Sequence, residues 1–481
     1  MPETDHTMQT TSKSAILYIL RELGRRAGAA PDWIARWRVR FGTDSVELHP
    51  EAGTAARLVF PFDASKAARF AQLREAPPCR LTWMQDPGAA MREVVPDFPV
   101  LFDDRASGGT PLFVAAGSDT LKCCADILTS ALWTLSRVEE TVAGPSDAHG
   151  RFPASGSVAF RAGCLDRPII DEYALAFRQA LCFLLPAWKP RPSPGRLKLS
   201  HDIDGVGLPR SLRSTVGHLY PRRIPRAFWR DVLSLAGAGE PAYLEAVRET
   251  ARISRADGYD SAFYWKGCAR SAWDSGYDPE HPQVRAVIEG LMQEGFEMGV
   301  HPAYDTFGAP ERLEQEVSRL RRVLGSGPMG GRQHFLRWRP STWRAWEKAG
   351  LSYDSSVGFA DVMGFRAGTA VPYHPWLMEE DRESTLLEIP LIVMDCTPIT
   401  YMRLGAADTL TAVEALVRRC EAVGGVFTLL WHNSSVIEPP YASLYPRLLA
   451  MFRSRFRYHW IADLCIWPLP CLIEGGANQH V

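Results

Sequence analysis

The chain has 481 residues, with 54 Lys+Arg against 55 Asp+Glu for a net charge of −1, and is 46% hydrophobic and 23% charged. At roughly 150 residues per domain this argues for two or three globular domains and excludes a disordered, collagen-like or coiled-coil chain. With no global field and no long basic run, nucleic acid is not an expected partner.

The N-terminal stretch MPETDHTMQTTSKSAILYILRELG begins acidic and holds only a short apolar run, unlike a signal peptide. No apolar run approaches the roughly 18 residues of a membrane span, so a cytoplasmic protein is expected. Residues 1–185 read as a smaller α+β unit. RLVFPF at 57–62 is an expected strand, and LKCCADILTSALWTLSRVEE an expected helix with Ser118 and Asp119 placed to cap it. DEYALAFRQALCFLL is a second helix. Between them, Asp147, His149 and Arg151 read first as loop residues packing against the rest of the chain, and second as a small polar site. PAWKPRPSPGR at 186–196 is a Pro-rich, basic linker.

From 197 to 475 short apolar runs alternate with amphipathic ones. RLKLSHDID, SAFYW, FEMGVH, HFLRW, LSYDSSV, LLEIPLIVMD and VFTLLWH read as strands, and YHWIADLCIW as a last strand or strand–turn. EPAYLEAVRETARISRADG, HPQVRAVIEGLMQEG, APERLEQEVSRLRRVLG, PSTWRAWEKAG, TLTAVEALVRRCEAVGG and ASLYPRLLAMFRSRF read as the helices between them. About seven βα units predict an α/β fold, a closed or nearly closed β/α barrel, with an open doubly wound sheet as the alternative. The ten cysteines are scattered without a CxxC pair, which argues against a zinc ribbon and for reduced, buried thiols.

In a β/α barrel, reactive residues gather at the C-terminal ends of strands. This chain places His201, Asp202 and Asp204 at one such end, His301 with Asp305 at a second, and His334, Arg337 and Trp338 on a third strand. Asp354, Asp395, and Trp431, His432 and Asn433 follow at further ends. Each alone has an ordinary reading, since Asp favours caps and turns and a His beside Pro302 is most often a loop residue. Together, buried without partners, they would cost several kcal/mol of desolvation, which a bound metal offsets.

On LSHDID, MGVHPAYD, RQHFLRWRPSTW, YDSSVGFADVMGFRAGT, EIPLIVMD and FTLLWHNS, the sequence resembles the NodB-type polysaccharide deacetylases of the carbohydrate esterase 4 superfamily. It is most similar to a subgroup with an N-terminal domain of unknown role. The resemblance covers 197–465 and extends into the first unit through LSRVEE, SDAHGRFP and RPIIDEY. It implies a distorted (β/α)7-type barrel and metal-dependent removal of an acyl group, in the first instance N-acetyl, from a carbohydrate in surface polysaccharide biosynthesis. It implies Asp202 as base and Asp204 as metal ligand, in a DxD rather than an adjacent DD form. His301 is the second implied ligand. Asp305 stands where the family has its second His, and His334 is the alternative third ligand. His432 matches the His that protonates the leaving group. Arg337 is taken as the arginine that steadies the base, with Arg332, Arg339 and Arg366 as competitors.

Tyr304, through a nearby backbone N–H at the oxyanion site, Trp338, Asp354, Arg366, Asp395, Trp431 and Asn433 are the expected substrate-binding residues. Trp338, Trp343, Trp376 and Trp431 are candidates to stack on a sugar, with core packing as the alternative for each. The mixed N/O ligand set predicts Zn2+, with Co2+, Ni2+ or Fe2+ as alternatives. The expected partner is a carbohydrate or a nucleotide- or lipid-linked sugar precursor; the sequence leaves the oligomeric state open. Two other readings compete: a hydrolase of another non-peptide C–N amide bond, and a non-catalytic carbohydrate-binding relative. Aspartate at 305 favours the latter, whereas Asp202, Asp204, His301 and His432 together favour catalysis.

Overall fold

The computed structural model describes residues 12–51, 55–142, 144–191, 193–208, 215–216, 218–219, 222–237, 239–267 and 272–456. The expected last strand at 458–467, and the end of the second unit at 475, lie outside the described residues.

The first unit opens with helix α1 (Lys13–Ala27), which the sequence analysis did not anticipate. The Ser12 hydroxyl accepts from Ala15 N at 3.0 Å, and Gly28, at φ 89°, ends it. A five-stranded sheet follows, built from β1 (Trp37–Phe41), β2 (Ser45–Pro50), β3 (Arg57–Pro61), β4 (Phe113–Ala115) and β5 (Thr120–Cys123), in the order β1-β2-β3-β5-β4. Helix α3 (Ile169–Leu184) packs beside it and against α1, and α2 (Ile127–Leu135) packs against α1. The helix expected from Leu121 therefore begins six residues later. Residues 120–123 alternate in burial and pair with β3 and β4 as a strand. Asp126, rather than Ser118 or Asp119, caps α2 by accepting from Thr129 N at 2.9 Å.

The second unit is a mixed α/β assembly. Strands β6 (Arg196–Ile203), β7 (Ser261–Trp265), β8 (Glu297–Val300), β9 (Val393–Met394) and β10 (Val426–Leu430) lie in the order β8-β7-β6-β10-β9, all parallel. Beyond β8 the pairing continues through single parallel bridges from Val300 to Gly331 and from Gly331 to Asp354. Tyr353–Asp354 then pairs in parallel with Leu387–Glu388. Helices occupy the intervals, among them Ala242–Ala256, Pro282–Gln293, Pro310–Leu324, Pro340–Lys348, Ala406–Val423 and Leu444–Arg453.

Three expected strands differ. HFLRW is not a strand: His334–Leu336 forms a 3-10 turn in which Phe335 and Leu336 have φ 61° and 53°. LSYDSSV contributes only Tyr353–Asp354. LLEIPLIVMD is interrupted after Glu388 and resumes at Val393, because Pro390 has no N–H to give a ladder.

One hydrophobic core runs through both units. Leu20, Trp133 and Phe177 of the first share a contiguous cluster with Val357, Phe365 and Tyr373 of the second. Polar ties cross the same boundary. Asp171, held within the first unit by Arg26 Nε at 2.8 Å, accepts across it from Thr369 Oγ1 at 2.6 Å and Ala370 N at 2.7 Å. Arg366 Nε donates to Glu140 at 3.0 Å, and Tyr373 OH to Leu135 O at 2.8 Å. Among the described residues no helix is long and apolar enough to cross a membrane.

Candidate active site

The site lies where β6 and β10 run out, over a cavity of about 290 Å3. The pleat of β6 turns alternate residues to opposite faces. His201 points away, with Nδ1 2.7 Å from Trp431 O, while Asp202 and Asp204 line the cavity. Burial pushes the His201 imidazole down to about 4, which keeps it neutral.

Asp204, His301 and His334 converge so that one ligand atom from each lies within 4.8 Å of the others. His301 Nε2 is 3.1 Å and His334 Nε2 3.2 Å from Asp204 Oδ1. His301 Nδ1 is 2.7 Å from the carbonyl oxygen of Arg332, which can only accept; burial lowers the His301 pKa and keeps the ring neutral. Its proton is therefore on Nδ1, and Nε2 turns a lone pair toward the Asp204 carboxylate. His334 Nδ1 lies 2.8 Å from Asp274 Oδ1, a carboxylate–imidazole contact that assigns the same tautomer. Lone pairs thus face one another across a small gap, an arrangement that a divalent cation satisfies and a proton alone does not. The donor set of one carboxylate and two imidazoles fits Zn2+ or a similar borderline metal. Burial alone would raise the Asp204 carboxyl; with both facing rings neutral, the positive charge that keeps it an anion is the one a bound cation would bring.

Two charged pairs flank this cluster. The buried Asp202 accepts from Arg332 Nη1 at 2.9 Å, and the same guanidinium donates to Ser200 Oγ, Ser355 O and Ser355 Oγ. On the other side His432 Nδ1 is 2.8 Å from Asp395 Oδ1, and His432 N donates to Asp395 Oδ2 at 2.8 Å. His432 Nε2 faces the cavity 3.6 Å from Asp204 Oδ2. Burial alone would lower its pKa, but Asp395, Asp204 and Asp202 together push it up to about 10.

The structure brings Asp202, Asp204, His301, His334, Asp395 and His432 to one cavity and leaves other expected residues outside. The Asp305 side chain is half-exposed and pairs with Arg312 at 3.5 Å, away from the cluster. His301 is followed by extended chain and then a 3-10 turn (Tyr304–Gly308), so the four-residue spacing does not put both side chains on one helical face. Arg337 does not reach Asp202. It donates to His149 O and Tyr304 O and lies over the Tyr304 ring at 3.8 Å; the arginine that reaches Asp202 is Arg332. Tyr304 N donates to Asp274 at 3.2 Å and is spent there rather than on a substrate oxyanion.

Asp354 is buried against Ser356, with burial pushing its pKa up. Arg366 pairs with Glu140, and Asn433 donates to Gly205 O and Tyr243 O. None of these three lines the cavity. Trp338, Trp343, Trp376 and Trp431 are core residues, at most 5% exposed, and none lines it either. Its aromatic wall is instead Phe335, Tyr401 and Tyr441.

Asp274 and Lys266 were missed. Lys266 follows β7 directly, so the strand-end rule would have found it. It is buried, with Nζ 2.9 Å from Asp274 Oδ1 and 3.8 Å from Asp204 Oδ1. Burial would raise the Asp274 carboxyl, but His334 and Lys266 hold it low. Asp274 sits in a loop, where no periodicity marks it.

A protein-family model described as a family of unknown function, DUF7033, matches residues 81–186. No curated protein matches the chain. Among solved structures, a protein from Mycobacterium smegmatis described as a polysaccharide deacetylase is 16% identical over 58% of this chain and 90% of its own, with a TM-score of 0.38. Puue allantoinase is 15% identical over 57% of this chain and 89% of its own, with a TM-score of 0.38. A protein from Bordetella bronchiseptica, described as a polysaccharide deacetylase involved in O-antigen biosynthesis, is 13% identical over 55% and 90%, with a TM-score of 0.29.

Proposed function

We propose that this chain is a metal-dependent hydrolase of non-peptide C–N amide bonds that removes an acyl group, in the first instance N-acetyl, from a carbohydrate or sugar precursor. The observation that carries the reading is the triplet Asp204, His301 and His334, flanked by Asp202–Arg332 on one side and His432–Asp395 on the other. The parallel pairings on both sides of 387–394 support a distorted (β/α)7-type barrel behind the first unit.

Asp204, His301 and His334 would hold the metal, Zn2+ being the first choice. A bound divalent metal supplies a Lewis acid that polarises a carbonyl and brings the pKa of water to about 7. Asp202 accepts the proton of the attacking water, with Arg332 fixing its other oxygen. His432, protonated at neutral pH, delivers a proton from Nε2 to the departing nitrogen, and Asp395 holds the ring through Nδ1. Arg151, Tyr401, Tyr441, Ser434 and Ser435 face the same cavity and are positioned to orient the substrate.

The burial of the four tryptophans removes the stacking argument for a sugar. A second reading, cleavage of another non-peptide amide such as a cyclic ureide, therefore stands beside the first. Acetate release from N-acetylated sugar precursors, set against ring opening of cyclic amides, separates the two.

The test of the common core is metal content. Asp204→Ala, His301→Ala and His334→Ala are each expected to lose bound metal, while Asp305→Ala keeps it and Asp202→Asn keeps it without turnover. Metal stoichiometry that survives the first three changes would sink the assignment.

A further inference from the structure

The loop Asp147–Arg151 of the first unit reaches the wall of the cavity. Its own carboxylate shapes it: Asp147 Oδ1 accepts from His149 N and Arg151 N, both at 2.9 Å, and Oδ2 accepts from Arg151 Nε at 2.7 Å. The guanidinium aimed in this way is buried and lines the cavity. Its Nη1 donates to Phe335 O at 2.9 Å.

Phe335 follows His334 directly. With Leu336 it makes two consecutive side-chain-bearing residues in the left-handed region, a conformation that persists only where neighbours enforce it. The tie across the two units is reciprocal. Arg337, on the far side of the turn, donates back from Nε to His149 O at 2.9 Å. The His149 ring packs on Phe335 with centroids 4.6 Å apart. Asp274 addresses the His334 ring at Nδ1, so ring and backbone of this residue are fixed from different sides.

We propose that the Asp147–Arg151 loop is a positioning element of the metal centre: the first unit enforces the strained turn that presents His334 through the crossed bonds Arg151 to Phe335 O and Arg337 to His149 O. The proposal rests on reading His334 as a metal ligand. The loop lies inside the 81–186 region, so that region acquires a role in this chain: it completes a site whose ligands all come from the second unit. Packing alone would not commit two guanidinium groups, one from each unit, to backbone carbonyls of the opposite unit across one ligand-bearing turn.

The test uses the full chain with Arg151→Ala, and Arg69→Ala, a partly exposed ion-pair residue of the first unit, as the remote control. Two quantities are read: the Zn2+ dissociation constant by chelator competition, and amide hydrogen exchange over 332–338 in metal-free protein. Arg151→Ala is expected to weaken Zn2+ binding about 10- to 100-fold, as loss of a group supporting a ligand does, and to speed exchange in that segment. Arg69→Ala is expected to match the wild type in both. Affinity within twofold of the wild type together with unchanged exchange would overturn the proposal. If Arg151→Ala does not fold, Arg151→Gln decides by the same criterion. Wild-type protein that takes up no Zn2+ would instead overturn the metal reading, and the metal-free exchange measurement then judges the brace by itself.

Discussion

Asp395 gives both oxygens to one residue, the ring Nδ1 and the backbone N–H of His432. That fixes the ring and sustains its charge, since burial alone would discharge it. The sign follows for Asp395→Asn. Losing the anion lowers the His432 pKa, so the protonated form disappears at lower pH, and the alkaline limb of kcat against pH is expected to move down. A limb that stays in place would remove His432 from the acid role. At this scale much was legible. Asp202, Asp204, His301, Asp395 and His432 line one cavity because they stand at strand ends, where the pleat fixes which side chains face it. Arg337 and Asp305 stand apart from the cavity for a common reason. Both were assigned from motif positions implied by the resemblance, and a 3-10 turn at or just before each residue directs its side chain away from the cavity.

The element that presents Arg332 and His334 has almost no room. A Cβ on Gly331 would sit 1.8 Å from Val300 O, and one on Gly330 would sit 2.2 Å from the Tyr353 ring. Gly331 N donates to Tyr353 O, and Arg332 N to Val300 O, so the segment threads between two neighbours through single bridges. Gly331→Ala is therefore expected to destabilise the protein by about 1–3 kcal/mol and to weaken metal binding at the same time. Denaturant melts and metal titration on the same sample check both, and an alanine that leaves both unchanged would show that the segment has slack. The amphipathic helices of the second unit were legible because apolar periodicity and terminal glycines marked them, Gly424 among them at φ 66°. The short strands were not, because a two-residue pairing such as Tyr353–Asp354 leaves no period to read.

Across the whole molecule, the Pro-rich stretch at 186–196 reads as a linker between two units, and one hydrophobic core runs through both. Glu22, Arg26 and Asp171 form a buried chain of charges that ends on Thr369 and Ala370. Burial would raise the Glu22 carboxyl, but Arg25 and Arg26 hold it at about 2. An unfolded glutamate titrates near 4.3, so this pairing contributes stability above that pH and loses it as pH falls toward 2, on the order of 3 kcal/mol in all. Glu22→Gln is expected to lower stability at pH 7 and to flatten its decline between pH 5 and 2. An unchanged acid profile would mean that the pair contributes nothing net. The same network has a consequence in time. Residue 185 leaves the ribosome well before residue 369, and at about 5–20 residues per second the interval is roughly 10–40 s. Throughout it the Asp171 carboxylate has Arg26 but lacks Thr369 and Ala370, and the apolar surface that Val357, Phe365 and Tyr373 cover is open. The nascent first unit is thus expected to be prone to association until the second half arrives to cover it.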